Sequence, residues 1–271
     1  MRLHHATKQR RPGRWENQVS KIHKKRFRGY QLYYQHEDST SSMCREIDEF
    51  PSFFVPQGER PLIVDAGSNI GVSTLEWKTR WPQCEVLCFE PDPFAFALLR
   101  RNVEENGLPG VTYYPYALSD HDGTATFHGS IGKGMDARGN SLCPGWGQRP
   151  GWGQRDETVS VEVECRRLST FLGEREVSFL KLDVEGNEER VLKEIDAQLP
   201  RIAALYVEVH ETKRTEHENS AQRIIAGLER AGFKIERDSR HAPHALPAEL
   251  ADWGRRVEAR QTQLLCWRPE S

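Results

Sequence analysis

The most informative part of this sequence is the run Leu62-Ile63-Val64-Asp65-Ala66-Gly67-Ser68-Asn69-Ile70-Gly71. It opens with a short apolar segment, which predicts a buried strand. A Gly-x-Asn-x-Gly turn follows, and residues 72–80 then predict a helix that ends before Pro82. Gly67 allows a sharp turn, and Gly71 allows the backbone and a ligand to approach closely. We therefore predict a strand, a turn and a helix of the nucleotide-binding kind.

A carboxylate follows the next predicted strand. Residues 86–89 form a second apolar run that ends in Glu90, where a ribose diol would bind. The turn is not Gly-x-Gly-x-x-Gly, so dinucleotide binding has weak support, and no Gly-Lys-Ser/Thr of a P-loop is present. Asp65 at the mouth of the turn would repel a pyrophosphate but suit a cation. S-adenosyl-L-methionine fits, because it carries a sulfonium, an ammonium and a ribose diol but no phosphate.

Length and composition indicate an ordinary globular protein. The 271 residues are enough for one sizeable core and an appendage. No apolar run approaches the ~20 residues of a membrane helix, and the N-terminus lacks the apolar segment of a secretory signal. The six cysteines are scattered without a Cys-x-x-Cys pair, which disfavours a zinc site and is typical of a reducing compartment. We therefore expect a cytoplasmic protein.

The charge is unevenly distributed along the chain. Residues 1–30 contain ten basic residues and a single acid, Glu16, although the net charge is only -2. Such an arm could contact an anionic partner such as a nucleic acid, a glycan or a membrane surface. A solvated, mobile terminus is the simpler interpretation, and we expect it to add little to the core because it has few apolar residues. Residues 1–50 are predicted to form this arm and a small helical extension, and residues 51–271 the main domain.

Strands and helices alternate from Pro61 onward, which predicts an α/β sheet. Further strands are predicted at 111–116, 177–183, 202–210, 233–236 and 264–267. The segments 124–127 and 159–165 predict the two arms of a β-hairpin insertion at about 123–165. Between them Pro-Gly-Trp-Gly-Gln-Arg occurs twice, at 144–149 and 150–155. Its tryptophans either stack on a sugar or other ring or belong to a duplication in a disordered loop, and the sequence leaves both interpretations open.

Charged residues end most of these strands. In an open α/β sheet, ligands bind outside the carboxyl ends of the strands. Any one of these charges is more often a surface group, but acids at four of five strand ends indicate a shared crevice. The residues at the predicted strand ends are Asp65, Glu90, Ala117, Asp183, Glu185, Glu208 and His210.

A family resemblance is carried by five segments in order. They are residues 64–71, Phe89-Glu90-Pro91-Asp92-Pro93, Ala117-Leu118-Ser119-Asp120, residues 180–186 (Leu-Lys-Leu-Asp-Val-Glu-Gly) and Val207-Glu208-Val209-His210. From about residue 61 to 233 the chain resembles the FkbM family of S-adenosylmethionine-dependent methyltransferases, with Ser68 where the family more often has Ala. The resemblance implies a Rossmann-like class I methyltransferase fold. This is a mostly parallel seven-stranded sheet with its last strand antiparallel, and helices cover both faces.

The same resemblance implies the cofactor S-adenosyl-L-methionine and a small-molecule or glycan acceptor. Family members mostly methylate hydroxyl oxygens on sugars, glycolipids or polyketides, and some methylate nitrogen. The implied cofactor-binding residues are Asp65, Gly67, Ser68, Asn69, Gly71, Glu90, Pro91, Tyr116, Ala117 and Asp183.

The candidate catalytic residues are His210, Asp183, Glu185 and Glu208. An alcohol acceptor must lose a proton, and His210 is the first candidate for the base because the ordinary pKa of histidine is ~6.5. Asp183 or Glu185 could serve instead, or orient the imidazole. We expect no metal, although Asp183, Glu185 and Glu208 together could hold a divalent cation, because the cofactor would occupy one of them. Lys181 lies on the same strand face as Asp183 and could hold an anionic acceptor.

Three alternatives compete with this hypothesis. An NAD-dependent oxidoreductase would use the same fold, but the turn and Asp65 count against it. A binding protein without turnover is disfavoured, since Asp65, Glu90 and Asp183 are all present. An RNA or N-methyltransferase guided by the basic arm lacks an aromatic platform for bases.

Overall fold

The computed structural model describes residues 21–129, 138–144, 159–237 and 259–269. The first twenty residues of the basic arm and the tryptophan repeat beyond Pro144 lie outside these ranges, so their predicted roles stay predictions. Among the described residues, no helix is both long and apolar enough to cross a membrane.

Twelve strands and six α-helices make up the described chain. The strands are β1 (His23–Phe27), β2 (Tyr30–Tyr34), β3 (Leu62–Ala66), β4 (Glu85–Phe89), β5 (Val111–Tyr114), β6 (Tyr116–Leu118), β7 (Gly123–Gly129), β8 (Val159–Arg166), β9 (Phe179–Leu182), β10 (Ala204–Glu211), β11 (Lys234–Arg237) and β12 (Arg260–Trp267). The helices are α1 (Glu37–Asp48), α2 (Val72–Arg80), α3 (Pro93–Glu105), α4 (Ser169–Leu172), α5 (Glu188–Glu194) and α6 (Ala221–Arg230). A 3₁₀ helix, Asp196–Arg201, leads from α5 toward β10.

A seven-stranded sheet forms the centre, in the order β11-β12-β10-β9-β3-β4-β5. Its pairings from β10 to β5 are parallel, and β12 is antiparallel to both of its neighbours. This confirms the predicted mostly parallel sheet with an antiparallel last strand. β7 and β8 pair antiparallel as the predicted hairpin insertion, and β6 joins them to form a separate small sheet.

The central sheet is buried on both faces, as parallel sheets are. Strand alternation sends Val64 to one core, with α5 and α6, and Ile63 to the other, with α1, α2 and α3. Both side chains are 0% exposed. Helices therefore cover both faces, and the carboxyl ends of β3, β4, β9 and β10 remain at one edge for a ligand site.

The predicted strand at residues 111–116 is wrong as a single element. It divides at Pro115 into β5, which belongs to the central sheet, and β6, which belongs to the insertion sheet. Proline has no N–H to donate to a sheet ladder, so it breaks the pairing at that residue.

The N-terminal hairpin packs on the main core, contrary to the expectation that the arm through Tyr30 adds little to it. Phe27 is 9% exposed and belongs to the same apolar cluster as α1, α2 and α3. Asn102 in α3 and Asn106, the residue directly after this helix, bond to the β2 backbone as a neighbouring strand would. Asn102 accepts from the Tyr33 N–H (2.6 Å) and donates to its carbonyl (3.0 Å), and Asn106 does the same for Gln31 (both 2.8 Å). The domain boundary at residue 50 stays a prediction.

Candidate functional site

The glycine turn lies where β3, β4 and β9 end. Gly67 has a φ of +81°, and a Cβ placed there would lie 1.8 Å from the carbonyl oxygen of Asp183. The N–H groups of Gly67 and Ser68 both donate to the Phe89 carbonyl at 3.0 Å. Gly71, with a φ of +88°, precedes the first residue of α2. Glycine is therefore required at position 67 by both the backbone conformation and the contact with β9.

Asp65 does not lie at the mouth of the turn, so that part of the sequence interpretation is wrong. Its side chain is 0% exposed. Oδ2 accepts from the hydroxyls of Ser73 (2.7 Å) and Thr74 (3.0 Å), which ties α2 to β3. Oδ1 lies 4.0 Å from Lys181 Nζ and has no hydrogen-bond partner among the described residues. Burial raises the pKa of Asp65, and Lys181 opposes that shift.

The side chain of Lys181 is also buried and bonds to groups of the protein itself. Its ammonium donates to the Gly67 carbonyl (3.1 Å) and to Asp183 Oδ2 (3.0 Å). Burial would lower the pKa of Lys181, but the charges of Asp183 and Asp65 raise it overall. The lysine therefore holds the turn and Asp183 together, and the prediction that it binds an anionic acceptor is not supported by its position.

Glu90 closes the turn from the end of β4. Its Oε2 accepts the Asn69 N–H and its Oε1 accepts the Asp92 N–H, both at 2.8 Å. Asn69 itself has a φ of +47°, a left-handed conformation that asparagine tolerates. Burial raises the pKa of Glu90 to about 8, Asp92 adds to the shift, and the two N–H groups oppose it. Each carboxylate oxygen has a second lone pair, so the residue can also accept from a ribose diol.

The other predicted cofactor residues have different surroundings. Ser68 donates from its hydroxyl to the Asp65 carbonyl at 2.6 Å, which closes the turn internally. Pro91 follows β4 and is half-buried. Tyr116 is also half-buried, and its ring stacks on Tyr114 with centroids 5.9 Å apart. Ala117 packs into the apolar cluster of the insertion, so its side chain does not face the turn.

The four predicted catalytic residues converge near the ends of β9 and β10, which are neighbours in the sheet. His210 is 1% exposed. Its Nε2 lies 3.4 Å from Glu185 Oε2 and 3.7 Å from Glu208 Oε1. Donor atoms of Asp183, Glu185 and His210 all lie within 4.8 Å of one another. Two carboxylates and an imidazole could hold a divalent cation, with His210 in the place that the sequence interpretation gave to Glu208.

The environment of His210 differs from the one assumed from sequence. Burial alone would lower the pKa of His210, but the carboxylates of Glu185 and Glu188 raise it to about 10. The assumption of an ordinary pKa for this imidazole is therefore wrong. Burial and the charge of Asp183 raise the pKa of Glu208 as well.

The insertion contacts the site through a short segment, residues 138–143. The Gly139 N–H donates to Glu185 Oε1 at 2.8 Å, and the Ser141 hydroxyl donates to the Glu185 carbonyl. Asn140 donates to Asp92 Oδ2 at 2.9 Å. Glu185 has a φ of +56°, an uncommon conformation for glutamate. The insertion is therefore anchored beside both the predicted catalytic group and the loop after Glu90.

Sequence reasoning missed Glu188 as a site residue. In the sequence it is one of several acids that favour the N-terminus of a helix. In the structure it is 0% exposed and lies 3.1 Å from His210 Nδ1. No local pattern reveals this contact, because the two residues are 22 positions apart and meet only when α5 packs on β10.

Comparison with known proteins gives the family context. The family described as "Methyltransferase FkbM domain" matches residues 65–235. "Methyltransferase 1" of Beauveria bassiana is 33% identical over 171 residues, which cover 59% of this chain. "Methyltransferase sdnD" of Sordaria araneosa is 33% identical over 216 residues, 72% of this chain. "2-O-methyltransferase NoeI" of Sinorhizobium fredii is 30% identical over 155 residues, 55% of this chain. The matched regions span 66% of the Beauveria protein, 79% of sdnD and 63% of NoeI. The chain therefore covers less than two thirds of the Beauveria protein and of NoeI.

Proposed function

We propose that this chain, which belongs to the FkbM methyltransferase family, transfers the methyl group of S-adenosyl-L-methionine to a hydroxyl oxygen of a small-molecule or glycan acceptor. One observation carries the proposal. A buried imidazole, His210, lies at the carboxyl end of β10 with Nε2 beside two carboxylates, in the crevice that also borders the glycine turn. Such a group can accept the proton that an alcohol must lose.

The cofactor supplies an electrophilic methyl group when bound. Glu90 would hold its ribose diol with the remaining lone pair on each oxygen, and the turn from Gly67 to Gly71 would lie against its methionine part. The residues present fit this group, since the Glu90 carboxylate at the end of β4 lies directly against the turn and accepts the Asn69 N–H at 2.8 Å. Asp183 is 25% exposed, its carbonyl lies against Gly67, and its carboxylate lies within 4.8 Å of a ring nitrogen of His210. The sulfonium and ammonium are cations, and carboxylates beside them are electrostatically favourable.

The raised pKa of His210 determines the order of events that we propose. An imidazolium cannot accept a proton, so His210 must lose one before it acts. A cation that enters the same crevice disfavours the protonated ring and lowers its pKa. We therefore infer that His210 would release its proton to solvent when the cofactor binds, and that the neutral ring would then take the proton of the acceptor hydroxyl at Nε2. The carbon–sulfur bond would break as the carbon–oxygen bond forms, so the methyl group would pass from sulfur to oxygen.

The relative NoeI is named a 2-O-methyltransferase, which supports oxygen as the methylated atom. An NAD-dependent oxidoreductase is ruled out, because the chain belongs to a methyltransferase family. No feature of the described residues specifically supports methylation of nitrogen or an RNA acceptor. Contact between the basic arm and an anionic partner rests on its ten basic residues alone. The proposal of a cytoplasmic location rests on the six scattered cysteines, which include no Cys-x-x-Cys pair.

The test is methyl transfer from isotopically labelled S-adenosyl-L-methionine to a panel of sugars, glycolipids and small alcohols. His210→Ala is expected to lower turnover about 10²–10⁴-fold, the usual contribution of a general base. Full activity in this variant across the pH range would exclude His210 as the base. Adding a chelator then separates the remaining cases, since only a metal-bound hydroxide would be lost.

A further inference from the structure

We propose that Glu188 is a positioning residue of the methyl-transfer site, which fixes the imidazole of His210 so that Nε2 points into the crevice. The inference deepens the proposed function and rests on it for its catalytic consequence. The geometry that carries it, the contact between Glu188 and Nδ1 of His210, is independent of the acceptor.

Glu188 is held rigidly by four contacts. Its Oε1 accepts the N–H groups of Gly186 (3.0 Å) and Val184 (3.3 Å). Its Oε2 accepts the Gly186 N–H (3.2 Å) and the Asn219 side-chain amide (2.6 Å). The carboxylate is 0% exposed and lies at the first residue of α5.

The contacts of Glu188 dictate the orientation of the imidazole. Glu188 Oε1 lies 3.1 Å from His210 Nδ1, and both oxygens of this side chain already accept N–H groups, so Glu188 is the acceptor and the ring nitrogen the donor. Nδ1 must therefore carry a hydrogen, so the neutral ring keeps its lone pair on Nε2. That atom is the one beside Glu185 and Glu208. The Asn219 amide also donates to the His210 carbonyl at 2.8 Å, so a single side chain fixes both the carboxylate and the backbone of the histidine.

The neighbouring Glu189 shows what a purely structural buried glutamate looks like in this fold. It is 2% exposed and its carboxylate accepts from Arg223 at 2.7 and 2.8 Å, so its charge is balanced by a cation. Glu188 has no Lys or Arg among its described contacts, and its one partner with a titratable cation is His210. Burying a carboxylate against an imidazole is costly unless the pair is well bonded, and here it orients the ring toward the crevice.

The first test needs no variant. In protein labelled with ¹⁵N-histidine and titrated from about pH 7 through the pKa of His210, we expect Nε2 to be the ring nitrogen that loses its proton, while the proton on Nδ1 stays far downfield and slow to exchange because the ring is buried. The resonances are assigned by their loss in His210→Gln. A wild-type ring with an unprotonated Nδ1 would overturn the proposal, whether or not an acceptor has been found.

The second test compares Glu188→Gln with the matched variant Glu189→Gln. The amide introduced by Glu188→Gln cannot satisfy the Asn219 donor and the Nδ1–H together, so it either loses the contact or donates to Nδ1 and reverses the tautomer. We expect the downfield proton to disappear in Glu188→Gln and to persist in Glu189→Gln. For turnover we expect a fall of at least about tenfold in kcat for Glu188→Gln, as for other orienting partners of a functional histidine, with an unchanged KM for the cofactor.

The outcomes separate the two proposals. If folded Glu188→Gln keeps both the His210 signal and kcat, Glu188 is not a positioning residue. If the signal disappears as expected but His210→Ala retains full activity, the ring is positioned by Glu188 and the assignment of His210 as the base fails. Should Glu188→Gln not fold, the wild-type spectrum decides alone.

Discussion

Replacing Glu90 with glutamine removes the charge and one acceptor oxygen at the position that we assign to the ribose diol. In the structure, one oxygen accepts from Asn69 and the other from Asp92, both at 2.8 Å. The diol must therefore use the second lone pair on each oxygen. The amide nitrogen of glutamine has no lone pair to offer, so Glu90→Gln loses one bond to the cofactor and also places an N–H against a backbone N–H.

The expected effect follows from the strength of such bonds. A hydrogen bond to a charged group contributes about 1.5–3 kcal/mol, and about 1.4 kcal/mol is a factor of ten in Kd. The Kd for S-adenosyl-L-methionine should therefore rise about 10- to 150-fold, with the disturbed turn adding to the loss. Calorimetry at about pH 9 compares the two proteins with the wild-type carboxylate ionised, since the pKa of Glu90 is about 8.

Glu105→Gln is the matched control, because Glu105 is exposed at the end of α3. It makes the same chemical change outside the site and should keep the wild-type Kd within about twofold. Equal affinities of wild type and Glu90→Gln, with both proteins folded, would remove Glu90 from the cofactor site and refute the reasoning from its lone pairs.

Three further predictions follow from the turn and its supports. Gly67→Ala should lower the melting temperature strongly, because its Cβ would lie 1.8 Å from a carbonyl oxygen, whereas Gly29→Ala, with a similar φ of +87° and nothing within 4 Å, should show only the backbone strain. Asn102→Ala should weaken cofactor binding more than Asn106→Ala, since both lose bonds to β2 but only Asn102 also donates to the turn, at 2.8 Å, and equal affinities would contradict this. Folding raises the pKa of Glu90 from 4.5 to about 8, so the stability from its bound proton is complete below pH 4.5 and lost as the pH rises through 8. Over that window the unfolding free energy of the wild type should fall by up to about 1.4 kcal/mol per pH unit more than that of Glu90→Gln. The melting temperature of the wild type should therefore fall more steeply with pH, and parallel melting curves of the two proteins would contradict the prediction.

The frame of the site was predictable because its signals are local. A short apolar run followed by Gly-x-Asn-x-Gly defines β3 and the turn, and both lie where the sequence indicated. The acid after the second apolar run, Glu90, does contact the turn. To predict that Asp183 and His210 lie close together, we also had to assume that the strands carrying them are neighbours in the sheet. β9 and β10 are indeed paired.

The missed features depend on contacts between distant segments. Asp65 follows an apolar run and resembles a strand-end carboxylate, yet it belongs to β3 itself and turns under α2 to Ser73 and Thr74. The pKa of His210 is set by burial and by carboxylates on another segment, neither of which appears in the sequence around it. Proline at 115 was visible, but only the three-dimensional structure shows that the chain uses it to leave one sheet for another.

The charges of the crevice favour one direction of the reaction cycle. Asp183, Glu185 and Glu208 lie around a single imidazole, while the ammonium of Lys181 is already bonded to Asp183 and the turn. A cofactor with a sulfonium adds positive charge where carboxylates are close, and opposite charges at short range attract strongly in a partly buried site. After the proposed transfer the sulfur would be a neutral thioether, so this attraction would be lost, and a proton taken by His210 would restore the positive charge in the crevice. The carboxylates that attract the cofactor would therefore hold its product less tightly, which would favour exchange of product for fresh cofactor.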